Sequence, residues 1–366
     1  MRVTFVLSGL GPGGAERVAS LIASGWADDG HHCTIIAFDH PEEPVYHPVS
    51  SRVQLVRLGL PARTKGWFGR VCRAVGRLPA LRRAIRASEP DLVVSFLTKI
   101  NALALIATRG IGVPIAVAER NNPQRQDAHP AWNFLLRFLY RFADAIVLQS
   151  RASLECLPAR VRDKAVVIPN AIVGPWVQRS ISGEPILTAV GRLCYQKGFD
   201  LLLPAFAEAS VAHPEWRLVI WGEGPNRRAL ENQAGALGIA PRVSLPGLTD
   251  RPGAWGAGAS AFVLSSRFEG FPNALGEAMC CGLPVISFAC PFGPDEMIVD
   301  GQDGLLVPSD DIGALAQALR KVMADPQLRE RLGTSARRSA ERYAPERVLP
   351  MWTEVADRLT SPRPND

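Results

Sequence analysis

The feature that most constrains this chain is a repeated alternation of two kinds of segment. Short apolar runs recur at residues 2–8, 32–38, 53–58, 91–97, 114–119, 145–150 and 165–170. Helical stretches such as 15–28 and 131–142 lie between them. Most runs are apolar on both faces. A strand half open to water alternates apolar with polar residues; a strand covered on both faces does not, so these read as buried parallel strands. After residue 185 the pattern restarts, with runs at 186–192, 217–222, 243–247, 261–266, 284–288 and 304–308. The expected fold class is α/β, with two doubly wound parallel-sheet, Rossmann-like domains.

Residues 170–185 carry Gly, Pro and Ser with little periodicity and read as a linker. The expected domains are 1–172 and 173–345. Residues 346–366 would form a C-terminal helix and tail packing back on the first domain. Sheets of this kind bind ligands beyond the C-terminal ends of their strands. Two facing sheets would then place a site in the cleft between them.

Several classes drop out. Of 366 residues, 47% are hydrophobic and 21% charged, which fits a globular chain and not a disordered one. No apolar run reaches the roughly 18 residues of a membrane span. The nearest, 100–118, is broken by Arg109, Gly110, Gly112 and Pro114. The first apolar run enters a glycine turn and reads as a strand, not a signal peptide. The seven cysteines are scattered, with no CxxC pair, which suggests reduced thiols in a cytoplasmic protein and no structural zinc.

Charge is uneven. Residues 1–175 hold 22 Lys and Arg against 13 Asp and Glu, whereas 176–366 hold 19 against 22. The basic half points to an anionic partner. Its densest stretch, 62–86, contains Arg70, Arg73 and Arg77 and no acid. At about 100° per residue these three share one flank, beside an apolar face of Trp67, Val71, Ala74, Val75 and Leu78. Such a helix suits an anionic membrane surface or the pyrophosphate of a lipid-linked acceptor. An ordinary surface helix packed on a sheet has the same pattern. Pro79 is expected to break or kink it.

Three motifs carry chemistry. Residues 11–17, GPGGAER, join the first strand to a helix, where a glycine backbone and helix amides favour an anion. Residues 191–198, GRLCYQKG, place Arg192 and Lys197 in one turn, two cations suited to a diphosphate. Residues 265–277, SSRFEGFPNALGE, lead from a strand through a loop holding Glu269 into a helix holding Glu277. Carboxylates there accept bonds from sugar hydroxyls and can stabilise positive charge at an anomeric carbon.

Glu269 and Glu277, with the Gly-Arg-(x4)-Lys turn upstream and GGAER at the first loop, resemble glycosyltransferase family 4 over nearly the whole chain. The resemblance implies a GT-B fold and a retaining transferase. Arg192 and Lys197 would bind the donor diphosphate, Glu277 the ribose and Glu269 the sugar. Backbone near Gly247 and Leu248 would hold the base, with Glu223 nearby. Gly14 would approach the phosphates, and amides of Gly270, Phe271, Asn273 and Ala274 would face the sugar. No metal or cofactor is implied beyond a UDP-sugar co-substrate. Relatives often carry a histidine after the fifth strand; here Glu119, Arg120 and Asn121 stand there as candidate donor contacts. Details such as GGAER and DGLLV look most like bacterial enzymes that extend undecaprenyl-diphosphate-linked oligosaccharides, including N-acetylgalactosamine transferases. The expected partners are a UDP-sugar, a polyprenyl-diphosphate glycan and the inner face of the plasma membrane. A soluble acceptor is the nearest alternative. A sugar-nucleotide epimerase shares the two sheets but has no need of the basic helix. A nucleic-acid-binding role leaves Glu269 and Glu277 beside Arg192 and Lys197 unexplained.

Overall fold

A computed structural model describes residues 1–60, 67–120, 138–174, 185–249 and 253–361, with the backbone alone over 67–75. Asn121 and most of the expected 131–142 helix lie outside these residues, as do the side chains of Arg70 and Arg73. The chain divides into two units, Met1–Asn170 with Val348–Asp366, and Ala171–Arg347.

The first unit is built on a seven-stranded parallel sheet in the order β3-β2-β1-β4-β5-β6-β7. Its strands are β1 (Arg2–Leu7), β2 (His32–Ala37), β3 (Gln54–Arg57), β4 (Leu92–Phe96), β5 (Ile115–Ala118), β6 (Ala145–Leu148) and β7 (Ala165–Val167). The second unit has six parallel strands in the order β10-β9-β8-β11-β12-β13. These are β8 (Ile186–Val190), β9 (Arg217–Trp221), β10 (Val243–Gly247), β11 (Ala261–Leu264), β12 (Val285–Phe288) and β13 (Leu305–Val307). The central strands β4, β5, β6, β11 and β12 are buried at every position, which is why their sequences are almost wholly apolar, with Ser95 and Ser287 the exceptions.

The first unit carries α1 (Gly14–Asp28), α2 (Trp67–Ala87) and α3 (Thr98–Ala107). The second carries α4 (Phe199–Ala209), α5 (Arg227–Ala236), α6 (Asn273–Cys280), α7 (Pro294–Met297), α8 (Ile312–Ala324) and α9 (Pro326–Ala340). One core joins α4 and α8 to their side of the second sheet through Leu202, Phe206, Leu315 and Leu319. Another joins α6 and α9 to the other side through Leu275, Met279 and Ala336. The sheet is thus covered on both faces, the arrangement that its uniform hydrophobicity requires.

One detail bears on the sequence expectation. Helix α2 continues through Pro79 instead of breaking there. A proline removes one amide donor and crowds the preceding turn. Leu81 and Ile85, both wholly buried, hold the following turns on the sheet and outweigh that cost. Between α8 and α9 the Asp325 carboxylate caps α9 by accepting the Leu328 amide at 2.9 Å. The last helix, α10 (Pro345–Thr360), packs on the first unit: Trp352 lies 5.8 Å from Phe96, and Thr353 accepts the Trp26 indole at 2.9 Å.

Candidate functional site

In the second sheet the strand order reverses between β8 and β11. Crossovers leave these neighbours in opposite directions, which opens a crevice beyond their C-terminal ends. Two of the motifs meet there. The turn after β8 brings Lys197, and the loop after β11 brings Glu269. Lys197 Nζ donates to Glu269 Oε1 at 2.6 Å, and Ser266 Oγ donates to the same oxygen at 2.6 Å. The Glu269 side chain is 6% exposed and that of Lys197 20%, so the pair is largely withdrawn from water.

Local sequence explains the juxtaposition. Gly198 has φ +62°, and a Cβ there would fall on the Ser265 carbonyl oxygen, so only glycine lets the two loops touch. Ser265 Oγ then donates to the Lys197 carbonyl at 2.9 Å. At Gly191, a Cβ would sit 3.0 Å from the aliphatic stem of Lys197, so the missing side chain makes room for that stem across the strand end. An ammonium has three donors. Glu269 takes one, leaving Lys197 able to serve a second anion.

The strand ends and loops of the second unit carry further groups, some without partners among the described residues. Arg192 is exposed and its guanidinium makes no hydrogen bond or ion pair. The amides of Gly270, Phe271 and Ala274, ahead of and within the first turn of α6, make none either. They supply the donors a helix N-terminus leaves open. The Phe271 ring itself is core, 5.5 Å from Tyr343. Asn273 begins α6, and Glu277 is buried about a turn further along it. Leu248, just past β10, is 73% exposed and its backbone makes no hydrogen bond among the described residues. Both oxygens of Glu223 accept from Arg227, at 2.9 and 2.5 Å, which holds its carboxyl below the usual range.

Comparison with known proteins assigns the chain. The glycosyl transferases group 1 family matches residues 175–339, and the glycosyl transferase 4-like domain matches 13–171. The chain belongs to the glycosyltransferases. It is 26% identical to the Campylobacter jejuni GalNAc-alpha-(1->4)-GalNAc-alpha-(1->3)-diNAcBac-PP-undecaprenol alpha-1,4-N-acetyl-D-galactosaminyltransferase, over 97% of this chain and 98% of that one. It is 28% identical to a Streptomyces coelicolor exopolysaccharide phosphotransferase, over 99% of this chain but only 41% of that protein, so it spans less than half of that relative. Among solved structures, Anabaena HepE in complex with UDP and glucose superposes with a TM-score of 0.76 at 18% identity, covering 97% of this chain and 99% of that one. The fold of this glycosyltransferase is GT-B.

In the first unit of the glycosyltransferase the expected donor contacts already have protein partners. Glu119 is buried and already engaged: Thr98 Oγ1 and Asn101 Nδ2 donate to it at 2.9 and 3.0 Å, and Tyr140 donates as well. Burial and the adjacent Glu119 push the Tyr140 hydroxyl well above its ordinary pKa. Arg120 is also buried. It donates to Asn170 Oδ1 at 2.6 Å and lies over the rings of Phe96 and Trp352, at 5.1 and 5.3 Å. Burial pushes it down to about 9, against the opposing pull of Glu119, so it stays cationic at neutral pH. The two side chains turn into the unit because Asn101, Tyr140, Asn170 and Trp352 surround the end of β5. Arg77 is half-buried and engaged as well: its guanidinium donates twice to the Leu60 carbonyl, at 3.0 Å from Nε, and sits 5.1 Å from the Phe38 ring. Gly14 is exposed, but the Glu16 carboxylate already lies against Gly13 and accepts Ser8 Oγ at 3.0 Å; burial raises its pKa.

Sequence reading missed Ser266, the second donor to Glu269, and the bond between Arg267 and Asp200. The signal was present as a hydroxyl and a cation inside the motif itself.

Proposed function

We propose that the glycosyltransferase is a retaining enzyme of family 4 that moves a hexose or N-acetylhexosamine from a UDP-sugar to a polyprenyl-diphosphate-linked saccharide. The observation that carries the donor half is the Lys197–Glu269–Ser266 set at the β8/β11 reversal. In this reading Arg192 and Lys197 engage the diphosphate, Glu277 the ribose, Glu269 the sugar and the Leu248 backbone the base. The free amides before α6 bond sugar hydroxyls or phosphate. The acceptor half draws support from the C. jejuni relative, whose name places its substrate on undecaprenyl diphosphate. UDP and glucose bound to HepE support the donor class. A lipid-linked acceptor would bring the enzyme to the cytoplasmic face of a membrane.

The chemistry needs no protein base. As the bond from the anomeric carbon to the diphosphate oxygen breaks, the acceptor oxygen bonds that carbon on the same face. The acceptor proton passes to the departing phosphate oxygen. Lys197 and Arg192 stabilise the negative charge that grows there, and Glu269 faces the positive charge on the sugar.

A panel of UDP-, GDP- and ADP-sugars, read as ligand-induced thermal shift and then as turnover, tests this. UDP-sugars are expected to give the largest shift. Lys197→Ala and Glu269→Ala are each expected to lower turnover by about a hundredfold or more, the scale for one preorganised charge contact. Unchanged turnover in both variants overturns the site assignment. EDTA is expected to leave the rate unchanged, since two side-chain cations stand where a metal would neutralise the diphosphate; a rate abolished by chelation and restored by a divalent ion rejects that part.

A further inference from the structure

The turn that presents Lys197 has little structure of its own. Residues Tyr195–Lys197 form a single 3-10 turn, closed by backbone bonds from Lys197 to Cys194 and from Gly198 to Tyr195, at 3.1 and 3.3 Å. Something outside the turn must fix it. The neighbouring loop does so with its backbone: the Arg267 amide donates to the Gln196 carbonyl at 2.8 Å, and Gln196 Nε2 returns to the Phe268 carbonyl at 3.0 Å. The Arg267 side chain reaches further.

Its guanidinium bonds on either side of Lys197. Nη1 donates to the Tyr195 carbonyl and to Asp200 Oδ1, both at 2.8 Å, and Nη2 donates to Asp200 Oδ2 at 2.6 Å. Its central carbon lies 4.1 Å from the Tyr195 ring, and Nε is 3.7 Å from Asp310 Oδ1. The side chain is 9% exposed. Asp200 belongs to the first turn of α4, the helix that Gly198 and Lys197 lead into. One planar group therefore ties the start of the turn to the helix behind it. A guanidinium can make a forked carboxylate contact and a third bond to a carbonyl at once; an ammonium on a flexible stem lacks that fixed fork.

We infer that Arg267 is a positioning residue for donor binding: it holds the Tyr195–Asp200 segment so that Lys197 can meet the terminal phosphate of a nucleoside diphosphate. This rests on the donor-site reading above. An Arg267–Asp200 pair that merely stabilised the fold would lower the melting temperature and affect all nucleotides alike. A positioning role acts on the phosphate that Lys197 addresses, so it appears as a loss of preference for a diphosphate over its monophosphate.

The experiment is calorimetric titration of the full chain with UDP, GDP and ADP, and with the monophosphate of whichever binds best. Wild type, Lys197→Ala, Arg267→Lys and Asp200→Asn are compared, with a melting temperature for each. Lys197→Ala is expected to cut the diphosphate-to-monophosphate affinity ratio by about tenfold, the scale of one charge-assisted bond. Arg267→Lys, which keeps the charge but not the fork, is expected to cut that ratio by roughly three- to tenfold, with monophosphate affinity unchanged. Asp200→Asn removes the charge that anchors the fork and is expected to act in the same direction by a smaller factor. If Lys197→Ala collapses the ratio while Arg267→Lys and Asp200→Asn leave it alone, the inference is overturned and the donor site stands. If Lys197→Ala leaves it alone too, or no nucleotide binds the wild type, both are overturned. Should Arg267→Lys not fold, Asp200→Asn decides by the same ratio.

Discussion

At the residue scale the chemistry rests on charges held partly out of water, and burial decides what each can do. Glu269 accepts from Lys197 and Ser266, 72 and 3 residues away along the chain. The pair was legible in the sequence because both members sit in glycine-marked turns after apolar runs. The fate of Glu119 and Arg120 was not legible. Their partners Thr98, Tyr140, Asn170 and Trp352 come from four other segments, and no local pattern encodes that meeting. Asp200 gives a pH prediction. The Arg267 hydrogen bonds hold its carboxyl below the usual carboxylate range. A carboxyl whose pKa is lower folded than unfolded adds stability above the unfolded value, and that contribution disappears as pH falls through the folded one. Melting temperature should therefore fall less steeply below about pH 4 in Asp200→Asn than in wild type. Parallel curves for the two proteins would remove Asp200 from the acid sensitivity.

At the scale of elements, sequence periodicity located the thirteen strands of the described residues, most directly the central ones, which are buried at every position and so have one composition along their length. It was weaker for helices. Proline at position 79 reads as a stop, and only the packing of the next two turns shows why it is not one. The C-terminal helix α10 has the same dependence on packing. Trp352 is 1% exposed, between Phe96 and Arg120, and Val348, Val355 and Ala356 are buried with it. Trp352→Ala should cost about 3–5 kcal/mol, the range for deleting a buried aromatic side chain. Denaturant midpoints measure this; a cost below about 1 kcal/mol would show that α10 contributes little to the first unit's core.

At the scale of the whole molecule, residues 1–175 carry an excess of positive charge over the rest, and it does not depend on Arg77, which is engaged with the Leu60 carbonyl. Arg83, Arg86, Arg109 and Arg141 are all exposed in that half. Flotation with vesicles containing anionic lipid should carry the protein upward at about 0.1 M salt and release it near 0.5 M, as the screening length falls from about 10 Å to roughly half that. Equal recovery on neutral vesicles would reject an electrostatic docking surface. The path of the chain has a separate consequence. The second unit leaves the first at Asn170 and hands the chain back at Val348, so it is an insert and not a downstream half. Exchanging donor specificity between relatives by recombination then requires two junctions. A single crossover at the linker would pair α10 of one parent with the sheet of the other, leaving Trp352 to find a foreign Phe96 and Arg120. Donor and acceptor preferences in such a lineage are thereby joined by inheritance at both ends of the insert.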